Sequence, residues 1–248
     1  MNPTEVLLHW VYVAIMIMSG LFFYTMSKNP KGVPYYKYII HIFVVTWSAL
    51  AYSALALNQG TLEFQGQTVH FARYIDWVVT TPLLLLSLAL TGKFTTRKEG
   101  WLIGAMMGTQ AIMILTGLVA ELSADETRQY FWYILGCIAL VVVLYIFWGP
   151  LLKIAKTQGA GIEGVYRASA TFLTVQWLLY PAVWLIGAPG MEILSSFTTT
   201  VLFLVIPVVS KAGFGFFNLI KLRNLPEEDK PEPKPPHPYE PTPAFRPA

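Results

Sequence analysis

The sequence predicts an all-α protein, a bundle of seven transmembrane helices with its N-terminus outside the cell and its C-terminus in the cytoplasm. Three observations carry this prediction. Hydrophobic residues make up 55% of the 248 residues and charged residues only 12%, against roughly 25% charge in an ordinary soluble domain. Seven apolar stretches approach or exceed the roughly 20 helical residues that cross a hydrocarbon core. The basic residues collect in alternate connections between those stretches.

The stretches follow in order. The first, about 5–27, begins almost at Met1, lacks a basic leader and is long enough to span, so it reads as a membrane helix and not as a cleaved signal. NPKGVP turns the chain into the second, about 34–57. The third, about 70–91, holds ARYIDWVVTTPLLLLSLAL, and the fourth, about 101–120, holds WLIGAMMGTQAIMILTGLVA. The fifth and sixth run over about 128–151 and 166–188, and the seventh over about 193–222. Short polar connections separate them, which suits antiparallel neighbours.

Charge sets the orientation. Lys28, Lys31 and Lys37 follow the first stretch, and Lys93, Arg97 and Lys98 the third. Lys153, Lys156 and Arg167 follow the fifth; Lys221, Arg223, Lys230, Lys234 and Arg246 follow the seventh. The opposite connections hold Glu63, Glu121, Asp125, Glu126 and Glu192 with one cation, Arg128. Cytoplasmic loops carry the excess of Lys and Arg, so the N-terminus is expected outside. The chain divides into a membrane domain, 1–223, and a tail, 224–248, that is Pro-rich, charged and expected to be extended or disordered. The tail reads either as a solvated end or as a docking segment for a cytoplasmic partner, and His237 within it has no assigned role. The lone Cys137 excludes a disulfide framework and a cysteine-based zinc site. A net charge of +3 gives no case for nucleic acid, and no pattern points to a metal or an enzyme site. The expected location is the cell membrane, with the lipid bilayer as first partner.

Three ionisable residues fall inside the predicted spans: Arg73, Asp76 and Lys211. Charge within a membrane is expensive and marks function by default. On a helix, Arg73, Asp76, Thr80 and Ser87 lie at i, i+3, i+7 and i+14, on one face. Asp76 to Ser87 is eleven residues, roughly 16 Å of helix, so a polar stripe crosses about half the bilayer. Lys211, in VLFLVIPVVSKAGFGFF, must pair with a carboxylate, be neutral or be covalently modified. A desolvated lysine amine readily forms a Schiff base with an aldehyde. Equally, a Lys211–Asp76 ion pair would hold two helices together and do nothing else.

RYIDWVVTTPLLLL in the third stretch, WLLYPAVW in the sixth and SKAGFGF in the seventh resemble the microbial (type 1) rhodopsins, in the right order over about residues 3–225. The resemblance implies all-trans or 13-cis retinal bound to Lys211 as a protonated Schiff base. Asp76 then matches the counterion, with Arg73 extracellular to it. Carried over by motif, the retinal pocket is Tyr74, Trp77, Thr81, Met113, Gly117, Trp132, Trp177, Tyr180, Pro181 and Ser210, with Pro207 one turn from the lysine. A polyene needs a long apolar slot with rigid aromatic walls, and Trp77 and Trp177 would sandwich it. The WY dipeptide leaves two neighbouring choices at Trp132.

The pattern departs from the outward proton pumps of that family. Their cytoplasmic proton donor lies eleven residues after the counterion, where this chain has Ser87. Their second counterion lies four residues before the lysine, where this chain has Pro207, which lacks an N–H and costs the helix a backbone bond. Of the outer release pair only Glu192 is nearby, with Pro189 and Thr199 at the acidic positions. Asp76, Ser87 and Pro207 together resemble the subgroup of Anabaena sensory rhodopsin and the xenorhodopsins, as do LLHWVYVA, NPKGVP and HFARYIDW. That subgroup holds sensors coupled to a soluble transducer and inward proton pumps. An inward pump needs a cytoplasmic proton acceptor. Asn218 stands where several members have a carboxylate seven residues after the lysine, and His41, predicted level with Ser87, is the replacement candidate. His41 reads equally as a hydrogen-bonded interfacial histidine; His9 and His70 read as structural residues near the outer face. The two functions expected are therefore inward proton transport through or past His41, and light sensing with a transducer at the cytoplasmic face. Trimers are expected by analogy with the family.

Overall fold

A computed structural model describes residues 2–64, 66–92 and 100–230. The tail beyond 230 and the cations Lys93, Arg97, Lys98, Lys234 and Arg246 lie outside the described residues.

Seven helices are long and apolar enough to cross a membrane: α1 Pro3–Ser27, α2 Tyr35–Ala56, α3 Phe71–Thr91, α4 Gly100–Glu121, α5 Glu126–Lys156, α6 Ala160–Ile186 and α7 Ser196–Arg223. Local chemistry sets several starts. Asn2 caps α1 in a capping box, its Oδ1 accepting from the Glu5 amide at 2.8 Å while Glu5 Oε2 accepts from the Asn2 amide at 3.1 Å. Asp125 accepts from the Arg128 amide at 3.1 Å to start α5, and Ser195 from the Thr198 amide at 3.1 Å to start α7. Successive helices pack side by side, and α7 returns to α1 and α2, which closes the ring.

The structure differs from the sequence expectation at the end of α5, which runs on past 151 to Lys156, at the start of α6 and in one added element. Helix α6 starts well before 166, because Glu163 and Arg167 pair at 2.7 Å one turn apart and carry a polar first turn beyond the apolar core. A hairpin between α2 and α3 was not foreseen: β1 Leu62–Phe64 pairs antiparallel with β2 Gln67–Val69, with Gly66 at φ 79° in the turn. Strands of three residues carry too little alternation to be read from sequence.

Helix α3 runs through the interior. Arg73, Asp76, Thr80 and Ser87 are all buried, whereas Ile75 is 45% exposed on the outer face. The polar stripe therefore faces the middle of the bundle, and Leu84, Leu85 and Leu88 pack in the core beside it. Lys37 departs from expectation. Grouped by sequence with the loop cations, it is fully buried on the first turn of α2.

Two helices contain π segments, each with a proline in or just before it: Phe147–Leu151 around Pro150, and Val208–Gly213 directly after Pro207. Proline supplies no N–H to the carbonyl four residues earlier. For Pro207 that carbonyl belongs to Phe203, and the Tyr52 hydroxyl donates to it at 3.0 Å. A side chain of α2 thus takes the place of the missing amide of α7. We expect Tyr52→Phe to cost about 1 kcal/mol of stability, and Pro207→Ala to remove most of that cost by restoring a backbone donor. A double-mutant cycle on detergent-solubilised protein checks this; equal costs in both backgrounds would dissociate Tyr52 from the proline.

Candidate functional site

Lys211 sits in the π segment of α7, and its Nζ forms a fully buried ion pair with Asp76 Oδ2 of α3. Two charges leave water at high cost unless their remaining hydrogen-bonding capacity is filled. Here it is filled from three helices. Lys211 Nζ donates to Ser48 Oγ at 3.0 Å, and Ser48 Oγ donates to Asp76 Oδ2 at 3.2 Å. The single Ser48 proton is then committed, so the 2.6 Å contact between Tyr12 and Ser48 has Tyr12 as donor. Thr80 Oγ1 donates to the Asp76 carbonyl at 2.7 Å and lies 3.4 Å from Asp76 Oδ1. Tyr52 stacks on Tyr12 with centroids 3.9 Å apart, and its ring lies 5.8 Å from Lys211 Nζ.

An apolar cavity lies between α3, α4, α5 and α6. Its wall includes Trp77, Met113, Gly117, Tyr133, Tyr180 and Pro181. Trp77 meets Tyr180 edge-on at 4.9 Å, and the Tyr180 hydroxyl lies 3.0 Å from Ser210 Oγ, next to Lys211 in sequence. Trp77 follows Asp76 directly on α3, and Tyr180 reaches Ser210 beside Lys211, so two residues of the cavity wall adjoin the ion pair. Thr81 bonds back to the Trp77 carbonyl at 2.8 Å and accepts from Gln110 Nε2 at 3.0 Å. Trp177 does not line this cavity; it is buried in the core cluster that also holds Leu140, one of the lining residues. Trp132 does not line it either: its ring meets Phe131, and Tyr133 takes the wall, stacking on Trp184 at 4.9 Å and donating to the Pro181 carbonyl at 3.1 Å. Of the two neighbouring choices, the α5 turn directs the second one inward.

The two ends of the bundle differ in chemistry. At the end bearing the N-terminus, a cavity of about 460 Å³ is lined by Glu5, His70, Arg73, Glu121 and Glu192 among others. The Arg73 guanidinium packs 4.8 Å from the Phe203 ring. The Tyr74 hydroxyl donates to Glu121 and accepts from Trp184 Nε1 at 3.1 Å. At the other end, His41 Nε2 and Ser87 Oγ are 3.1 Å apart, and both are fully buried. Asn218 Nδ2 donates to Thr91 Oγ1 at 3.1 Å and to Ser169 Oγ at 2.9 Å.

His70, just before α3, is pushed down to about 3 by burial and secondarily by the nearby Arg73 charge. The neutral ring is favoured in the fold, so the unfolded chain binds the proton first. Stability from this site is full above about 6.5 and falls as pH drops from there towards 3. We expect the His70 ring resonances to stay put between pH 8 and 5 in NMR titration; a midpoint near 6.5 would refute that.

Residues 3–225 match the family model of bacteriorhodopsin-like proteins. The chain belongs to that family. It is 34% identical over 233 residues to archaerhodopsin-1 of Halorubrum ezzemoulense, covering 90% of this chain and 87% of that one. Sensory rhodopsin-2 of Natronomonas pharaonis is 27% identical over 212 residues, 86% of this chain and 87% of its own. The crystal structure of thermophilic rhodopsin from Rubrobacter xylanophilus superposes with a TM-score of 0.84 at 32% identity, covering 88% of this chain and 95% of that one. Bacteriorhodopsin-like proteins carry retinal bound covalently to a lysine through a Schiff base, and they are light-driven pumps or photosensors, not enzymes. The chain is a multi-pass protein of the cell membrane. Its residues suit retinal: a primary amine paired to a carboxylate adjoins, through Trp77 and the Tyr180–Ser210 contact, an aromatic-walled, apolar cavity.

Sequence reading missed Tyr12, Ser48, Tyr52, Gln110, Glu121 and the inward placement of Lys37. Glu121 and Lys37 sit at helix ends, where composition cannot tell a solvated charge from an inward one. Tyr12 and Ser48 carry no motif; their role comes from the way α1 and α2 close against Asp76.

Proposed function

We propose that this protein is a light-driven inward proton pump of the xenorhodopsin kind, with retinal on Lys211, Asp76 as its counterion, and the N-terminus outside. Retinal supplies the light-driven isomerisation. The Lys211 nitrogen holds the proton that moves, and Asp76, with Ser48 and Thr80 orienting it, stabilises the charged state in the dark. Trp77, Met113, Gly117, Tyr133, Tyr180 and Pro181 form the slot, with Thr81, Trp177, Pro207 and Ser210 supporting it.

The single observation that carries the direction is the distribution of carboxylates. Among the described residues, the cluster around Ser87 contains His41, Lys37, Thr91, Asn218 and Ser169 but no acid. The opposite half contains Asp76, Glu121 and the cavity bearing Glu5 and Glu192. A proton poised for delivery from the cytoplasm has no carboxyl to sit on. Basic groups able to receive one are present there, and His41 next to Ser87 leads that path. On the outer side Arg73, one turn before Asp76 on α3, lines a cavity of about 460 Å³, the source from which the lysine nitrogen is reprotonated by way of Asp76.

Illumination of an unbuffered suspension of cells making the protein tests this. External alkalinisation, abolished by a protonophore, is expected. Acidification would reverse the direction. A coloured, photocycling protein without any pH change would favour sensing, with a soluble transducer at the cytoplasmic face. For that reading the relevant contact is Arg223, whose Nη1 donates to the Met26 and Asn29 carbonyls at 3.0 and 2.7 Å and joins the end of α7 to the α1–α2 connection. A homo-trimer by analogy is compatible with either reading.

A further inference from the structure

The half of the bundle at the end bearing the C-terminus holds a second fully buried lysine, Lys37 of α2, and its surroundings are unlike those of Lys211. Lys37 Nζ donates to the Ser87 carbonyl and to Thr91 Oγ1 at 2.6 Å, and lies 3.4 Å from both Ser87 Oγ and Asn218 Oδ1. These partners come from α3 and α7. Every one of them is neutral. His41, one turn along α2 from Lys37, reaches the same Ser87 hydroxyl at 3.1 Å. Among the described residues, the titratable groups on this cluster are therefore Lys37 and His41; α3, α6 and α7 contribute Ser87, Thr91, Ser169 and Asn218.

A buried lysine beside a carboxylate is held as a cation until light displaces it, and that describes Lys211 with Asp76. Lys37 is not fixed. Its oxygen cage can accept three N–H bonds from an ammonium, and the Ser87 and Thr91 hydroxyls can turn to donate to the lone pair of an amine. Burial without a counter-charge works against the cation, while the carbonyl and hydroxyl dipoles work for it. Such a site can gain and lose a proton without rebuilding the fold. A structural cross-link between α2, α3 and α7 would be served as well by an uncharged side chain.

We propose that Lys37 is the proton-exchanging group of the cytoplasmic half: its amine takes up the proton leaving the Lys211 nitrogen, by way of Ser87 and His41, and then releases it to the cytoplasm. The N–H bond at Lys211 breaks and an N–H bond forms at Lys37 Nζ; one positive charge moves with the proton. The Lys37 ammonium later loses a proton to water and returns to the amine. The proposal rests on the transport reading above and deepens it, since it names the residue that receives the proton.

The test uses the full-length pigment in liposomes, with flash photolysis and a pH-indicator dye. In Lys37→Met and in Lys37→Arg, the proton is expected to reach the cytoplasmic side at least tenfold more slowly than in the unaltered protein. Added imidazole, a small diffusible proton carrier, is expected to restore the rate in Lys37→Met. Rates within twofold of the unaltered protein in both variants would overturn the proposal and leave the transport reading intact. An unaltered pigment that moves no protons would remove both. Should neither variant form pigment, lysine labelled with ¹⁵N at Nζ in the unaltered protein decides. A buried lysine nitrogen other than Lys211 is expected to change from amine to ammonium in the cryo-trapped photoproduct, observed by solid-state NMR. An unchanged nitrogen would overturn the proposal.

Discussion

Lys211→Ala is expected to abolish the visible absorption band on addition of all-trans retinal. The change removes the amine that the π segment of α7 aims at Asp76. The alternative attachment point is poor: Lys37, the other buried lysine among the described residues, is enclosed by hydroxyl, amide and carbonyl groups and not by aromatic walls. The same change leaves Asp76 buried without its cation, a loss on the order of 3–5 kcal/mol when one member of a buried pair is deleted. Lys211→Ala combined with Asp76→Asn should recover much of that stability and stay colourless. Absorption spectra after retinal titration, set beside thermal unfolding of both variants, separate lost attachment from lost fold. A visible band persisting in the folded double variant would refute attachment at Lys211.

Asp76→Asn is expected to shift the band to longer wavelength and to stop transport. An anion near the Lys211 nitrogen holds positive charge at that end of the polyene, and removing it lets the charge spread along the chain. The pigment should also lose its visible band at lower pH during alkaline titration, because an adjacent carboxylate favours the protonated nitrogen. Ser48, Thr80 and Tyr12 would remain to orient the amide, so the variant should fold. An unchanged spectrum and titration would show that Asp76 is not the counterion.

The spans, their number and the inward stripe of α3 were legible because hydropathy and helical period act over some twenty residues at a time. The ion pair of Lys211 and Asp76 was legible for a similar reason: each charge stands alone in an apolar run. The polar partners of that pair were not. Ser48 is an ordinary small residue of a membrane helix until α2 is packed against α3 and α7. Lys37 shows the same limit from the other side. Counted by charge it belongs to the basic connections, yet four residues on, His41 already faces the interior, and one turn of helix puts Lys37 on that face. Trp132 and Tyr133 differ by a single step of about 100°, which the sequence of α5 alone does not settle.

The π segment after Pro207 has a consequence for the length of the chain. A π turn accommodates one residue more than the α-helix around it. Deleting a single residue between Val208 and Ser210 would let α7 close as regular helix, and the residues beyond Gly213 would keep nearly their present facing, because the π turn had absorbed the extra residue. Lys211 lies inside the segment and would shift around the helix relative to Asp76 while Phe203 and Tyr52 stayed in place. The extra amino acid is therefore a local spacer that sets the azimuth of the lysine, and a frame-preserving deletion there is expected to displace the lysine from Asp76 and shift or abolish the visible band without disturbing the two ends of α7.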